Sequence, residues 1–520
     1  MVTVPAHEPF LSRRLHWMNM LKLHAGTRAD EVVVTSQAGH LTWGRLDNDV
    51  SAVAAALQAR GITKGDRVII LSLNRAEYIT AMLAINTLGA VSVPINVRSV
   101  AKELDYFIAD SGATAVFADQ IGMATLRETS THVTAIAFDE PDTDALSFAA
   151  LAASGERVDE IDVDENELAM IMYTSGTTSE PKGVMLTYLN LLSQAFPIMR
   201  TAQPPGERPD VQLIVVPLFH IAAVGFLTPA FFNATRIVLA PPSALSNIAA
   251  LVDLAEHEHV TSMFLVPTLW QALCSLPGIK ERNLSLATLS WGAAPASHKT
   301  LALMRETFPD AYITAAFGQT EMSPVTCQLH DADSEAKMGS VGKLIGSVAA
   351  KVIDADSVEV ADGQIGEIVY RGPGLMAGYW NKPDETAHVT RDGWFHSGDL
   401  VRKDEDGFIY VVDRTKDLII SGGENISSVE VENAIASHPN VADVSVIAGH
   451  DDVWGETPVA IVVPADASNP PTLDDICAFI LGTLASFKKP TRLEIVDELP
   501  RNASGKLLKY KLRRDFAGPR

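Results

Sequence analysis

The chain has 520 residues, 47% apolar and 20% charged, so it can bury a sizeable core in several folded units and is not a disordered chain. Its formal charge of −23 excludes nucleic acid as a bulk partner and requires that any anionic ligand be met by local positive groups. Three widely spaced cysteines, Cys274, Cys327 and Cys477, show neither metal nor disulfide spacing, which fits reduced thiols in a cytoplasmic protein.

At the N-terminus, Arg13 and Arg14 stand beside broken apolar patches, so no signal peptide is expected. No stretch approaches the ~20 apolar residues of a membrane span. Peripheral membrane contact and a homodimer stay open. Leu46, Val50, Val53 and Leu57 recur at helical spacing, Gly61 closes the run, and 68–71 reads as the next strand. A helix over about 76–88 and strands over 91–94 and 113–118 repeat the alternation, which predicts parallel βαβ units. Further strands at 168–172, 213–216, 263–266 and 286–290 make residues 1 to about 345 an α/β body with two such sheets. From about 346 to 415 short strands at 351–354, 367–371 and 408–412 predict a small antiparallel β-barrel, completing a large N-terminal domain over 1–415. Residues 416–520 read as a small mobile α+β domain, with helices near 429–435 and 473–484 and strands at 444–447 and 459–463.

The densest chemistry is Tyr173-Thr174-Ser175-Gly176-Thr177-Thr178-Ser179-Glu180-Pro181-Lys182-Gly183-Val184. Its glycines let backbone approach an anion, Ser175, Thr177, Thr178 and Ser179 add hydroxyl donors, and Lys182 adds a point charge. A strand before it and a helical stretch after 184–187 place this phosphate loop at a sheet edge. It is not a Walker A loop, because Lys182 precedes Gly183 instead of standing between a glycine and a hydroxyl residue. It resembles the phosphate loop of the adenylate-forming superfamily, which comprises acyl-CoA synthetases, amino-acid adenylation domains and luciferases, with Ser179 in place of the usual Gly.

That resemblance assigns phosphate contacts to Thr174, Ser175, Gly176, Thr177, Thr178 and Lys182, and further motifs follow in the superfamily's order. Trp291-Gly292-Ala293-Ala294-Pro295 looks like the adenine-side loop, with Trp291 where Gly is common. Phe317-Gly318-Gln319-Thr320-Glu321 resembles the aromatic-Gly-x-Thr-Glu motif. There the ring packs on adenine, Thr320 touches phosphate, and Glu321 binds Mg²⁺, a hard cation suited to carboxylate and phosphate oxygens. Asp399 resembles the ribose-binding carboxylate; Arg414 offers its fork to ribose or phosphate, and Lys416 stands at the hinge. Gly422 and Gly423 match the loop lining the pantetheine channel of CoA ligases, and Trp454, Phe487 and Lys489 match positions on the CoA nucleotide. Lys506, in the Pro500-x-x-x-x-Gly505-Lys506 motif, matches the lysine that bridges substrate carboxylate and α-phosphate. His220, in Pro217-Leu218-Phe219-His220-Ile221, resembles the gate of the acyl pocket. Taken singly, each motif is also explained by a turn, a surface ion pair or a core histidine.

The resemblance covers nearly the whole chain and is most similar to actinobacterial fatty-acid-CoA ligases, on 289–295 and 316–324. It implies an ATP-dependent acyl-CoA synthetase that activates a medium- or long-chain carboxylic acid as acyl-AMP and passes it to coenzyme A, using Mg²⁺ and releasing AMP and pyrophosphate. Small residues at Ala222, Ala223, Gly225, Ala315, Ala316 and Gly318 suggest a deep acyl pocket, which Trp291 could bend toward a compact acid. The alternatives are an acyl-AMP ligase that loads a carrier protein, a CoA ligase for a ring-containing acid, a luciferase-like oxygenase and a non-catalytic nucleotide binder.

Overall fold

Stretches such as Arg67–Leu71 and Val91–Ile95 are β-branched runs buried on both faces, which is what a strand covered by helices on either side requires. The computed structural model describes residues 14–141, 145–159, 161–174, 180–201, 210–245, 247–294, 296–422, 424–451, 453–481, 483–501 and 507–518. They fall into two compact units. Unit 1 comprises the residues up to 349 with 371–393, and unit 2 comprises 350–370 with 394–520.

Unit 1 holds two sheets. The first has eight strands in the order Gly378–Tyr379, Lys182–Thr187, Leu168–Thr174, Val91–Ile95, Arg67–Leu71, Ala115–Ala118, Thr134–Ala137 and Leu146–Ser147. Its centre is parallel, as the βαβ alternation predicts. Helix Ala76–Thr87 packs here with nearly every side chain buried, Tyr78 through Asn86. Each fully buried aliphatic side chain contributes roughly 1.5–3 kcal/mol. The helical stretch expected after 184–187 is there, preceded by a strand that the sequence reading did not include. Residues Lys182–Thr187 form a strand antiparallel to Leu168–Thr174, and helix Tyr188–Thr201 starts only afterwards. The run Val184-Met185-Leu186-Thr187 is apolar and β-prone, and pairing it with the preceding strand satisfies its backbone groups.

The second sheet has nine strands, ordered Lys343–Leu344, Val325–Leu329, Tyr312–Gly318, Thr288–Gly292, Ser262–Leu265, Val211–Ile214, Arg236–Leu239, Val32–Ser36 and Gly39–Thr42. The expected strands at 213–216, 263–266 and 286–290 appear displaced by one or two residues. The hairpin Val32–Thr42, absent from the sequence reading, adds the last two strands and pairs parallel with Arg236–Leu239. Helix Ile221–Asn233 is apolar almost all round and is buried along its length.

In unit 2, strands Ile365–Arg371, Trp394–Lys403 and Ile409–Arg414 pair antiparallel. A second sheet centres on the long antiparallel pair Val441–Asp451 and Gly455–Pro464. The alternation of a strand divides its side chains between two cores. Val444, Val446, Ala460 and Val462 meet helices Ser428–Ala436 and Leu473–Ile480 through Val431, Ile435, Ile476 and Ile480. Ile447, Val459 and Ile461 meet Leu512 of the C-terminal helix Lys509–Phe516 on the other face. The architecture is thus the expected α/β class, with a large sheet-rich body and a smaller C-terminal α+β portion. Cys274, Cys327 and Cys477 are free thiols. Among the described residues no helix is long and apolar enough to cross a membrane.

Candidate active site

The phosphate loop is closed by a strand register that sets Thr174 opposite Lys182 and Tyr173 opposite Gly183. Ser175, Gly176, Thr177, Thr178 and Ser179 lie outside the described residues. Two tyrosines hold the rim of the loop. Tyr106 donates its hydroxyl to the Pro181 carbonyl at 2.9 Å, and Tyr173 donates to Asp110 Oδ2 at 2.6 Å. Gly183 has a packing reason to be glycine, since a Cβ there would lie 2.7 Å from Ile171 Cγ2 and 3.3 Å from Trp380 Cβ.

Lys182 is buried, and its Nζ stands 2.5 Å from Glu385 Oε2 and 5.2 Å from the centroid of the Tyr379 ring. The Lys182 ammonium holds the Glu385 carboxyl below the usual glutamate range. Tyr379 then donates its hydroxyl to Glu321 Oε1 at 3.0 Å. The lysine offered to phosphate and the carboxylate offered to a metal therefore meet on one tyrosine, although they leave different sheets. No described residue pairs with Glu321 Oε2, so the carboxylate keeps one hard oxygen for a cation, which fits Mg²⁺. Nothing in local periodicity marks Tyr379 or Glu385, and the motif reading missed both.

Thr320 and Glu321 lie in the 3₁₀ turn Thr320–Met322, just past the strand Tyr312–Gly318 that carries Phe317. The Met376 N–H donates to the Glu321 carbonyl at 2.9 Å and ties that turn to the segment leading into Tyr379. Gln319 is half-buried beside them, and its Nε2 has no described partner. Gly318 does not open a pocket. A Cβ there would fall 1.9 Å from the Pro324 carbonyl oxygen and 2.8 Å from the Thr326 nitrogen, so the glycine serves close backbone approach. At Gly225 a Cβ would lie 2.9 Å from Pro324 Cγ. Close packing against Pro324 thus gives both glycines a reason to be small that is independent of any acyl channel.

On the adjacent strand, Gly292 would place a Cβ 2.3 Å from the Ala316 carbonyl oxygen and 3.2 Å from the Phe264 ring. Ala293 follows in the left-handed region at φ 64°, and Ala293 and Ala294 are exposed, as a loop that presents backbone needs to be. Trp291 is buried in register between Leu265 and Ala315, and alternation sends it to the face opposite Gly292. It belongs to the packing of the sheet. The ring beside Gly292 is Phe264, whose centroid lies 5.3 Å from that of Phe226 on helix Ile221–Asn233. His220 precedes that helix as its N-cap residue, with its ring 4.9 Å from Phe219. Asn74, also missed, pins the turn before it by accepting from the Leu218 N–H at 2.7 Å and donating to the Val216 carbonyl at 2.9 Å.

In unit 2, Asp399 and Arg414 are cross-strand partners, with Arg414 Nε 2.9 Å from Oδ1 of the buried Asp399. Glu367 supports them by accepting from the Gly398 N–H at 2.9 Å and lying 3.0 Å from His396 Nδ1. Around Lys416, Arg513 Nη1 reaches Asp417 Oδ1 at 2.5 Å. Lys509 bonds Ser428 Oγ at 2.6 Å and Glu432 Oε1 at 2.8 Å, while Ser428 donates to Asp413 Oδ2. The C-terminal helix is therefore fastened to both ends of the Asp413–Asp417 motif. Gly422 adopts φ 57°, and Trp454 Cε3 would sit 2.6 Å from its Cβ, so position and conformation both demand glycine. Trp454 and Phe487 are exposed, and Lys489 is half-buried. Gly423 and Lys506 lie outside the described residues, although Arg501 and Leu507 on either side of 502–506 pair as a bridge.

A model of the AMP-binding enzyme family matches residues 21–380, and a model of the AMP-binding enzyme C-terminal domain matches 430–506. The chain belongs to the AMP-binding enzyme family. This AMP-binding enzyme is 36% identical to a feruloyl-CoA synthase of Amycolatopsis sp over 92% of this chain and 94% of that protein. It is 32% identical to an indoleacetate–CoA ligase of Aromatoleum aromaticum, over 94% and 96% of the two chains. Among solved structures, o-succinylbenzoate CoA synthetase from Bacillus subtilis in complex with its acyl-adenylate intermediate matches with a TM-score of 0.83 at 30% identity, covering 95% of this chain and 98% of that one. The same synthetase in complex with ATP and magnesium ion matches with a TM-score of 0.81 at 29% identity, covering 95% and 99%.

Proposed function

We propose that this AMP-binding enzyme is an ATP-dependent CoA ligase for a ring-containing carboxylic acid. The observation that carries the chemistry is the convergence of Lys182 and Glu321 on Tyr379. It sets a buried ammonium and a partly exposed carboxylate at one rim, the pair of groups that a metal-bound polyphosphate needs. The ring preference is supported by relatives named for feruloyl, indoleacetate and succinylbenzoate substrates. It is supported as well by the Phe226–Phe264 pair beside Gly292. This reading replaces the medium- or long-chain acid with a flat one.

In the first half-reaction the substrate carboxylate oxygen bonds to the α-phosphorus of ATP while the bond to the pyrophosphate oxygen breaks. Lys182 meets phosphate charge, Thr320 adds a hydroxyl donor, and Lys506 bridges the carboxylate and the α-phosphate. Glu321 would hold magnesium, which would neutralise charge on the leaving pyrophosphate. Asp399 and Arg414 take the ribose, and Phe317 with Gly292, Ala293 and Ala294 takes the adenine. In the second half-reaction the CoA sulfur bonds to the acyl carbon, AMP leaves with the electron pair of the broken C–O bond, and the thiol proton passes to solvent. Gly422, Gly423, Trp454, Phe487 and Lys489 line the path of CoA, after the C-terminal domain from Lys416 onward turns about that residue.

The test is kcat/KM, from pyrophosphate release and CoA thioester formation, over cinnamic-type, indole and phenyl acids alongside straight-chain acids from acetate to palmitate. Ring-containing acids are expected to exceed every straight-chain acid by at least about tenfold, the scale of one or two well-placed ring contacts. A preference for decanoate or palmitate would return the substrate to the fatty acids and sink the ring assignment.

A further inference from the structure

Tyr379 stands between two groups of opposite charge and serves each with a different part of its side chain. The ring face, which is electron-rich, lies under Lys182 with Nζ 5.2 Å from the centroid. The hydroxyl donates to Glu321 Oε1 at 3.0 Å. The residue is itself fixed, because it is only 7% exposed, its strand pairs it with Val184, and its N–H donates to Thr386 Oγ1 at 2.9 Å. Lys182 is held from a second side by Glu385, 2.5 Å from Nζ, so the ammonium rests between a carboxylate and the ring.

We propose that Tyr379 is a positioning residue for metal-bound polyphosphate: it sets the spacing and orientation of Lys182, which meets phosphate directly, and of Glu321, which meets the cation that phosphate carries. The tyrosine acts through these two residues and does not itself touch the nucleotide. The inference rests on the assignment of Lys182 and Glu321 to the nucleotide site made above. Its two contacts are separable. Tyr379→Phe keeps the ring under Lys182 and removes the donor to Glu321, whereas Tyr379→Leu removes both.

The experiment is equilibrium binding of labelled ATP to the full chain, first in EDTA and then with Mn²⁺ titrated in, with bound Mn²⁺ read by its paramagnetic resonance signal. Tyr379→Phe should bind metal-free ATP within about twofold of wild type. It should need roughly 3- to 10-fold more Mn²⁺ for half of the metal-dependent gain, the scale of one hydrogen bond to a charged group. Tyr379→Leu should weaken binding in both conditions. A Tyr379→Phe variant with an unchanged Mn²⁺ requirement, or with binding weakened equally in EDTA and in Mn²⁺ as a merely structural role predicts, overturns the proposal. Glu321→Gln separates the two levels of the argument. If it shifts the Mn²⁺ requirement and Tyr379→Phe does not, the role of Tyr379 falls while the Glu321 assignment stands; if neither shifts it, both fall.

Discussion

The candidate residues of the two units are held by different balances of steric fit and charge. In unit 1 Gly318 and Gly292 stand where strands end and backbone crowds backbone, with no room for a Cβ, and among the described candidates charge holds only Lys182, on Glu385. In unit 2 the candidates are held chiefly by charge: Arg414 on Asp399, Arg513 on Asp417, and Lys509 on Glu432 with Ser428 leading to Asp413. Steric fit has one solution and fails abruptly, whereas an ion pair that keeps some solvent contact, as Arg513 does on Asp417, is screened by salt and can exchange partners. The backbone at Gly292 and Gly318 accordingly has little room to adjust, and the motif that flanks Lys416 is set by pairs that can exchange.

The comparison breaks first at Gly318. Gly318→Ala drives a methyl into the Pro324 carbonyl, and since neither atom is the end of a flexible side chain, the expected cost is about 3 kcal/mol or more. Thermal denaturation reads it, and a midpoint within about two degrees of wild type would show that the rim yields. A smaller effect belongs to the charged unit. Arg513→Ala releases Asp417, and CoA thioester formation from supplied acyl-AMP should slow about 3- to 10-fold while acyl-AMP formation changes less. The gap between variant and wild type should narrow in high salt; an equal loss in both half-reactions, or a gap indifferent to salt, counts against an adjustable ion pair.

The smallest expected effect is a pH slope at Glu432. Burial pushes its carboxyl pKa up, and Lys509, although it bonds the carboxylate and acts the other way, does not offset that. The folded form therefore holds the proton more tightly than the unfolded form. That contribution to stability is complete below the ordinary glutamate value and is lost as pH rises through the raised one. Urea midpoints taken from about pH 4.5 upward should show this decline in wild type and a flatter profile in Glu432→Gln/Lys509→Met, which replaces both charges together. Parallel profiles would mean that the buried pair is neutral in its effect.

Residue type and spacing were enough to read the AMP-binding family from Thr174, Lys182, Phe317–Glu321, Asp399 and Arg414, because those motifs bring their chemistry within a few residues of each other. The same holds for the helix Ala76–Thr87 and the strands around it, where apolar period alone predicts a doubly covered sheet. The reading failed where a small residue has two physical explanations. Gly225 and Gly318 are as consistent with open volume as with close packing, and only the position of Pro324 distinguishes them. Trp291 was left open by the sequence, since a tryptophan beside a loop motif does not reveal which face of the sheet it takes.

What the sequence by itself determined, then, is the α/β class, the order of the motifs and the kinds of group available for phosphate, cation and ribose. Tertiary structure alone decided that Lys182 opens a strand that pairs back on Leu168–Thr174, and that it meets Glu385 and Tyr379 some 200 residues later in the chain. It also decided that the Tyr379 hydroxyl faces Glu321, and that the C-terminal helix grips Asp417. The physical reason is that local period records which face of an element is buried. Register and long-range ion pairs follow from how the elements pack, and many pairings are compatible with the same local pattern.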